Sequence, residues 1–210
     1  MKTIGTKLLI CCMALFLTLG VLAGCNDTST PAGTLQATLS AMKDGNFKQL
    51  SKLTGEDFEQ GSWEGIPMQD MQRMFRAMFG NISVNVQEKE SDGEHAVVTI
   101  TGETGDLSSV MKDVGEETMS NFLKWCEDNN DRLLDITSEE MRQKMLPMLV
   151  EAFENHKGNM TKKPVDVEIK MNKDSDGKWI VASESADDMA SVVFGTDGIP
   201  SIESLLGNLT

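Results

Sequence analysis

Apolar residues recur along the chain with two periods, and the switches between them order the elements. Leu35, Leu39 and Met42 fall at i, i+4 and i+7, which predicts a helix over 34–43 that Asp44-Gly45 ends. Asn46 can cap a second short helix with Phe47, Leu50 and Leu53 inward. The stretch 54–65 reads as loop. Pro67 suits the first turn of a third helix that runs to Phe79 and stops at Gly80. Its Met68, Met71, Met74, Phe75, Met78 and Phe79 form one stripe. The period then drops to two. Ile82, Val84 and Val86 alternate with polar residues, Ser91-Asp92-Gly93 turns the chain, and 94–101 returns as a second strand. Helical spacing resumes over 106–127, with Gly115 expected to divide it. Thr137 and Glu140 make a capping-box pair for a helix reaching about His156, with a kink expected at Pro147. Val165, Val167, Ile169 and Met171 alternate again, Asp174–Gly177 turns, and 178–183 pairs back before a closing helix over 187–194. Helices followed by a hairpin, twice over, predict an α+β fold: helices packed on an antiparallel sheet built from two β-hairpins.

The N-terminal pattern is of another kind. Lys2 and Lys7 precede an almost wholly apolar run from Leu8 to Leu22, which is the plan of a signal peptide over 1–24. The run ends in Leu22-Ala23-Gly24-Cys25, which resembles the lipobox of bacterial lipoproteins. That resemblance implies a diacylglyceryl group on the Cys25 thiol and cleavage just before it. Small residues fit a narrow cleavage pocket, and a thiolate is the nucleophile that accepts the lipid. Residues 25–33 are then a lipidated cysteine and a polar tether. Residues 34–210 form a single extracytoplasmic domain held to the cell membrane through acylated Cys25. No later apolar run has spanning length.

Composition narrows the partners. The 210 residues carry 33 acids and 19 bases, a formal net charge of −14, and no tyrosine. Nucleic-acid binding needs clustered Lys and Arg, so it is excluded as a class. Removing the signal removes Lys2 and Lys7 and sharpens the acidity. Cys11 and Cys12 leave with it and Cys25 takes the lipid, which leaves Cys126 without a disulfide partner. Cys126 reads as a small buried hydrophobe, because neighbouring Glu127 and Asp128 oppose a reactive thiolate.

Candidate chemistry is sparse. The methionines of the third helix have the softness for Cu(I), but the same spacing serves a core stripe or an adaptable apolar lining. Met68, Met71, Met74, Phe75 and Met78 are therefore the candidate ligand-binding residues, and no metal or cofactor is expected. Asn172, Asp174, Asp176 and Gly177 overlay the start of a calcium loop, yet Ser183 stands where a bidentate Glu belongs. A hairpin turn is the better reading. His95 reads as a rim residue and His156 as a helix C-terminal cation. The pairs Glu116-Glu117, Glu139-Glu140 and Asp187-Asp188 are neighbours in sequence and do not face each other on a helix.

Four strings in order, Leu22–Cys25, Asp106–Val110, Thr137–Met141 and Asp176–Ile180, resemble a group of Gram-positive lipoproteins. Their outer domain is a cystatin-like, or nuclear-transport-factor-2-like, cone. The resemblance spans about 34–206 and implies a cone-shaped α+β domain but no activity. The expectation is a non-catalytic binding or scaffolding module for a small apolar ligand, a peptide or an envelope protein. The alternatives are a cone-fold enzyme acting on a small molecule and a metal or envelope-stress protein.

Overall fold

The computed structural model describes residues 28–54, 67–129 and 137–196. Within them the order is α1 (Pro31–Lys43), α2 (Phe47–Thr54), α3 (Met68–Phe79), β1 (Ser83–Ser91), β2 (His95–Asp106), α4 (Ser108–Asp128), α5 (Ser138–His156), β3 (Thr161–Lys173), β4 (Trp179–Val181) and α6 (Ala186–Phe194). The four strands form one antiparallel sheet in the order β1-β2-β3-β4. The fold is α+β, with helices against a sheet made of two hairpins.

The sheet has one packed and one wet face. Val98 opposes Ile169 and Ile100 opposes Val167. Ala96, Val98, Ile100, Val165, Ile169 and Met171 are buried beneath the helices. On the other face Thr101, Asp166, Glu168 and Lys170 are exposed, the alternation of a half-solvated antiparallel sheet. Hairpin turns are tied by side chains. The Asp92 carboxylate accepts from the amides of His95 at 2.7 Å and Glu94 at 2.9 Å, which holds it at about 2. Asp174 Oδ1 accepts from the amides of Asp176 at 2.8 Å and Lys178 at 2.9 Å. That calcium-like loop is thus a turn whose first carboxylate is already used by its own backbone.

Helix starts follow the sequence with two shifts. Asn46 Oδ1 accepts from the Gln49 amide at 3.1 Å, capping α2 as expected. The Thr137–Glu140 capping box opens α5. Helix α1, however, begins three residues before the expected 34, at Pro31, with Thr30 as its N-cap. Thr28 and Pro31 are buried, and the indole of buried Trp179 donates to the Ser29 carbonyl at 3.2 Å. Residues 28–33, read from sequence as tether, therefore belong to the folded body. Gly115 does not divide α4, which runs unbroken for 21 residues. A Cβ built on Gly115 meets nothing within 4 Å. Gly115→Ala should accordingly stabilise the protein by about 0.5–1 kcal/mol, read as a raised urea midpoint; a lowered midpoint would refute this.

The core sits between the sheet and α1, α3 and α6, with α2 against α1. Phe75 meets Phe47 edge-on with ring centroids 4.8 Å apart and Phe79 at 5.1 Å, and Phe79 meets Phe194 at 5.9 Å. One aromatic chain thus joins α2, α3 and α6.

Candidate functional site

The methionine stripe proves to be core. Met71, Met74, Phe75 and Met78 are buried, and Met68 is half-buried against the same cluster. These side chains pack together in the hydrophobic core. The expected candidate ligand-binding residues are thus placed in the packed interior, where Met fills gaps between aromatic rings. Among the described residues, no group of three or more His, Cys, Asp or Glu could hold a metal ion. Cys25 lies outside the described residues. His95 is exposed and only meets Asp92, with Nδ1 3.2 Å from Oδ2.

A different apolar surface emerges from the connection between β2 and β3. These strands pair along their whole length, so that Asp106 faces Thr161. The segment between those two residues leaves and re-enters one end of the sheet as the antiparallel helices α4 and α5. Its base is locked. Asp106 Oδ1 accepts from the Ser108 amide at 3.0 Å and hydroxyl at 2.5 Å, while Lys163 lies 3.3 Å from Oδ2. Burial works to raise the Asp106 carboxyl, and these partners outweigh it, leaving it below the usual carboxylate range. Ser109 Oγ donates to the Asp106 carbonyl at 2.6 Å and accepts from the Thr161 amide at 3.0 Å. The end of α6 closes the same corner. The Leu107 amide donates to the Phe194 carbonyl at 3.0 Å, and Gly195 is left-handed with φ +65°. A Cβ there would lie 2.6 Å from the Gly105 carbonyl oxygen, so the approach requires glycine.

The arm is joined to the body through α5. Arg73 of α3 forks onto Glu154, with Nε to Oε1 at 3.2 Å and a second contact from Nη2 to Oε2. Arg73 donation holds the Glu154 carboxyl below its usual range. Glu117 of α4 accepts from Asn155 at 2.7 Å and pairs with His156 Nε2 at 2.8 Å. This is the one His–carboxylate pairing across two helices among the described residues. His156 Nδ1 is sealed from solvent with no hydrogen-bond partner there. It is not open to a substrate, and the pair reads as a helix-to-helix tie.

Beyond the base, α4 rests chiefly on α5. Its buried residues are Val110, Val114 and Thr118, all in its first half. In its second half Met119, Phe122, Trp125 and Cys126 are only half-buried, and Leu123 is 55% exposed. Cys126, expected to be buried, is half-covered, because among the described residues this part of α4 packs chiefly on α5. Across from it, Met141 is 38% exposed and Met145, Leu146 and Met148 are half-buried. Phe122 and Trp125 stack at 5.9 Å, and the Lys144 ammonium sits 6.0 Å from the Trp125 ring. Charges of both signs rim this surface, Lys124 and Lys144 beside Glu127 and Asp128. Glu127 and Asp128 occupy the last turn of α4, which has no basic residue, so their charge adds to the negative end of the helix dipole.

Met119, Phe122 and Trp125 share the helical spacing of the stretch 106–127, and that spacing does not tell core from surface. The adjacent pairs Phe122-Leu123 and Trp125-Cys126 were the available signal. They widen the apolar stripe beyond what one packed neighbour covers.

The family model described as "Domain of unknown function (DUF5105)" matches residues 64–194, which include both hairpins and the whole arm. The chain belongs to the DUF5105 family. Within the DUF5105 match lie β1 to β4, α3 to α6 and the locked base of the arm. No curated protein matches the chain. A solved structure of YcdA, a candidate lipoprotein of Bacillus subtilis, is similar with a TM-score of 0.38 and 15% identity. The similarity covers 90% of this chain and 55% of that one, so the chain spans about half the length of YcdA. No helix of the described residues is long and apolar enough to cross a membrane.

Proposed function

We propose that this chain is a lipid-anchored extracytoplasmic binding module whose α4–α5 arm recognises another protein or a peptide. The observation that carries the binding role is the half-exposed Phe122, Leu123, Trp125, Met141 and Met145 surface on a firmly based helical pair. Aromatic and methionine side chains held partly in water are the composition of recognition surfaces, not of solvated helix faces. Anchoring is supported by the ordered succession of Lys2, Lys7, the apolar run and Leu22–Cys25. A cystatin-like cone is the architecture we assign to the domain, on the strings quoted above. The module works without catalysis of its own, since the residues gathered at the arm are apolar and Glu117 is committed to Asn155 and His156.

The test is photocrosslinking in living cells. A photoreactive residue replacing Leu123 should give a discrete covalent adduct with one partner, and one replacing exposed Lys89 on the edge strand should not. Identical adduct patterns at both positions would overturn the reading.

A further inference from the structure

The two ends of the sheet are unlike. At one end β1 turns into β2 and β3 turns into β4, and His95 opposes Asn172 there. At the other end Asp106 opposes Thr161 at the base of the α4–α5 arm. The 13 residues of β3 span the distance, about 40 Å of strand at ~3.3 Å per residue.

The folded body begins at the turn end. Trp179 stands opposite Lys173 beside the β3–β4 turn, and its indole donates to the Ser29 carbonyl at 3.2 Å. Thr28 is buried, and Thr34 Oγ1 donates to its carbonyl at 2.9 Å. Helix α1 then runs away from the turns. Lys43 in its last turn lines a groove with Ile82 and Ser83, and Ser83 pairs with Glu103 near the arm base. Contacts at both ends of α1 thus fix where the chain enters.

Three peptide steps separate Thr28 from Cys25. Whatever their conformation, they reach at most about 11 Å. A lipid on Cys25 would keep the turn end within that reach of the bilayer, and the arm base could touch it only if the body lay down. The outer face of the sheet offers nothing to hold it there. Its Lys89 meets Glu168, Lys162 meets Glu103 and Lys170 meets Glu184, so these cations are already engaged by the protein's own carboxylates. A chain at −14 is repelled by an anionic surface over a Debye length of about 8 Å, and standing on the turns brings only one end into that layer.

We infer that the end of the sheet formed by the β1–β2 and β3–β4 turns is the membrane-facing surface, with the arm base directed away from the bilayer by the short leash. This rests on the lipid-anchor reading and adds the orientation of the anchored body.

The test uses the full lipidated chain in nanodiscs of phosphatidylglycerol and phosphatidylcholine that carry an acceptor dye on a lipid headgroup. In a Cys126→Ser background, a donor dye is attached through Asp176→Cys in the β3–β4 turn or through Lys162→Cys at the arm base. Both side chains are exposed, 71% and 63%, so circular dichroism should show an unchanged fold. Energy transfer should be at least about threefold greater from position 176 than from position 162, given the length of strand between the two ends. Inserting about twenty Gly/Ser residues after Asp27 should bring that ratio close to one, since such a leash spans roughly 25 Å. Equal transfer from the two positions, greater transfer from position 162, or a ratio that the insertion leaves unchanged would overturn the inference. If any of these occurs while the chain still floats with lipid, the orientation is wrong and the anchor stands. If the chain does not float with lipid, the anchor reading fails and the orientation falls with it.

Discussion

Phe75→Ala should destabilise the protein by about 3–5 kcal/mol, more than any other single truncation in α3. Phe75 is 1% exposed and sits between Phe47 and Phe79, whose rings approach it edge-on at 4.8 and 5.1 Å. Truncation removes the transfer free energy of a buried ring and both edge-to-face contacts. The void cannot close easily. Met71 and Met74 on either side are themselves fully packed, and the α2 contact is held by the short Asn46-capped helix. Against a total stability of about 5–15 kcal/mol for a domain of this size, the loss would populate the unfolded state. Urea denaturation with an unchanged slope and a lowered midpoint is the expected reading. A shift below about 1 kcal/mol would mean that the aromatic chain is not the centre of this core.

Cys25→Ser should transfer the protein out of the membrane fraction almost completely. The predicted anchor depends on one atom. A thiolate attacks the lipid donor near neutral pH, and a serine hydroxyl does not ionise there. Each buried methylene of an acyl chain contributes about 0.8 kcal/mol, so two chains hold a protein that has no spanning helix among its described residues. The acidic body supplies no compensating attraction, because at −14 an anionic surface repels it. Fractionation of cells producing the variant should find it in the medium or as an uncleaved precursor. Membrane retention equal to the parent chain would refute lipid anchoring. Thr28 and Pro31 are buried in the folded body, so the folded part begins earlier than the tether predicted over residues 25–33 allows. A lipid on Cys25, as predicted, would hold the domain close to the membrane.

Much of the secondary structure was legible because its signals are local. The change of period at Ile82, the Asp92-Gly93 and Asp176-Gly177 turns and the Thr137–Glu140 capping box each act within a few residues. The departures from the local pattern share a cause as well. Helix α1 starts ahead of its apolar pattern because Thr28 to Gly33 is polar by composition. Its order comes from Trp179, about 150 residues away, reaching the Ser29 carbonyl. Gly115 was read as a break from its low helix propensity, and the packing of Val110, Val114 and Thr118 overrides it. The methionines of α3 and those of α5 looked alike in sequence. The first set is core and the second half-exposed, because α3 is covered by α1, α5 and α6 while the outer part of the arm is not.

The sequence by itself determined the class of the fold, its two hairpins and the acidic balance. All of these follow from composition, short-range periodicity or a motif of adjacent residues. Only the tertiary structure decided that β2 and β3 pair across the helical insertion, so that α4 and α5 become an arm with its base at Asp106 and Thr161. It also decided which apolar residues remain in water. Burial is a property of what lies on the other side of a side chain, and no local pattern records that neighbour.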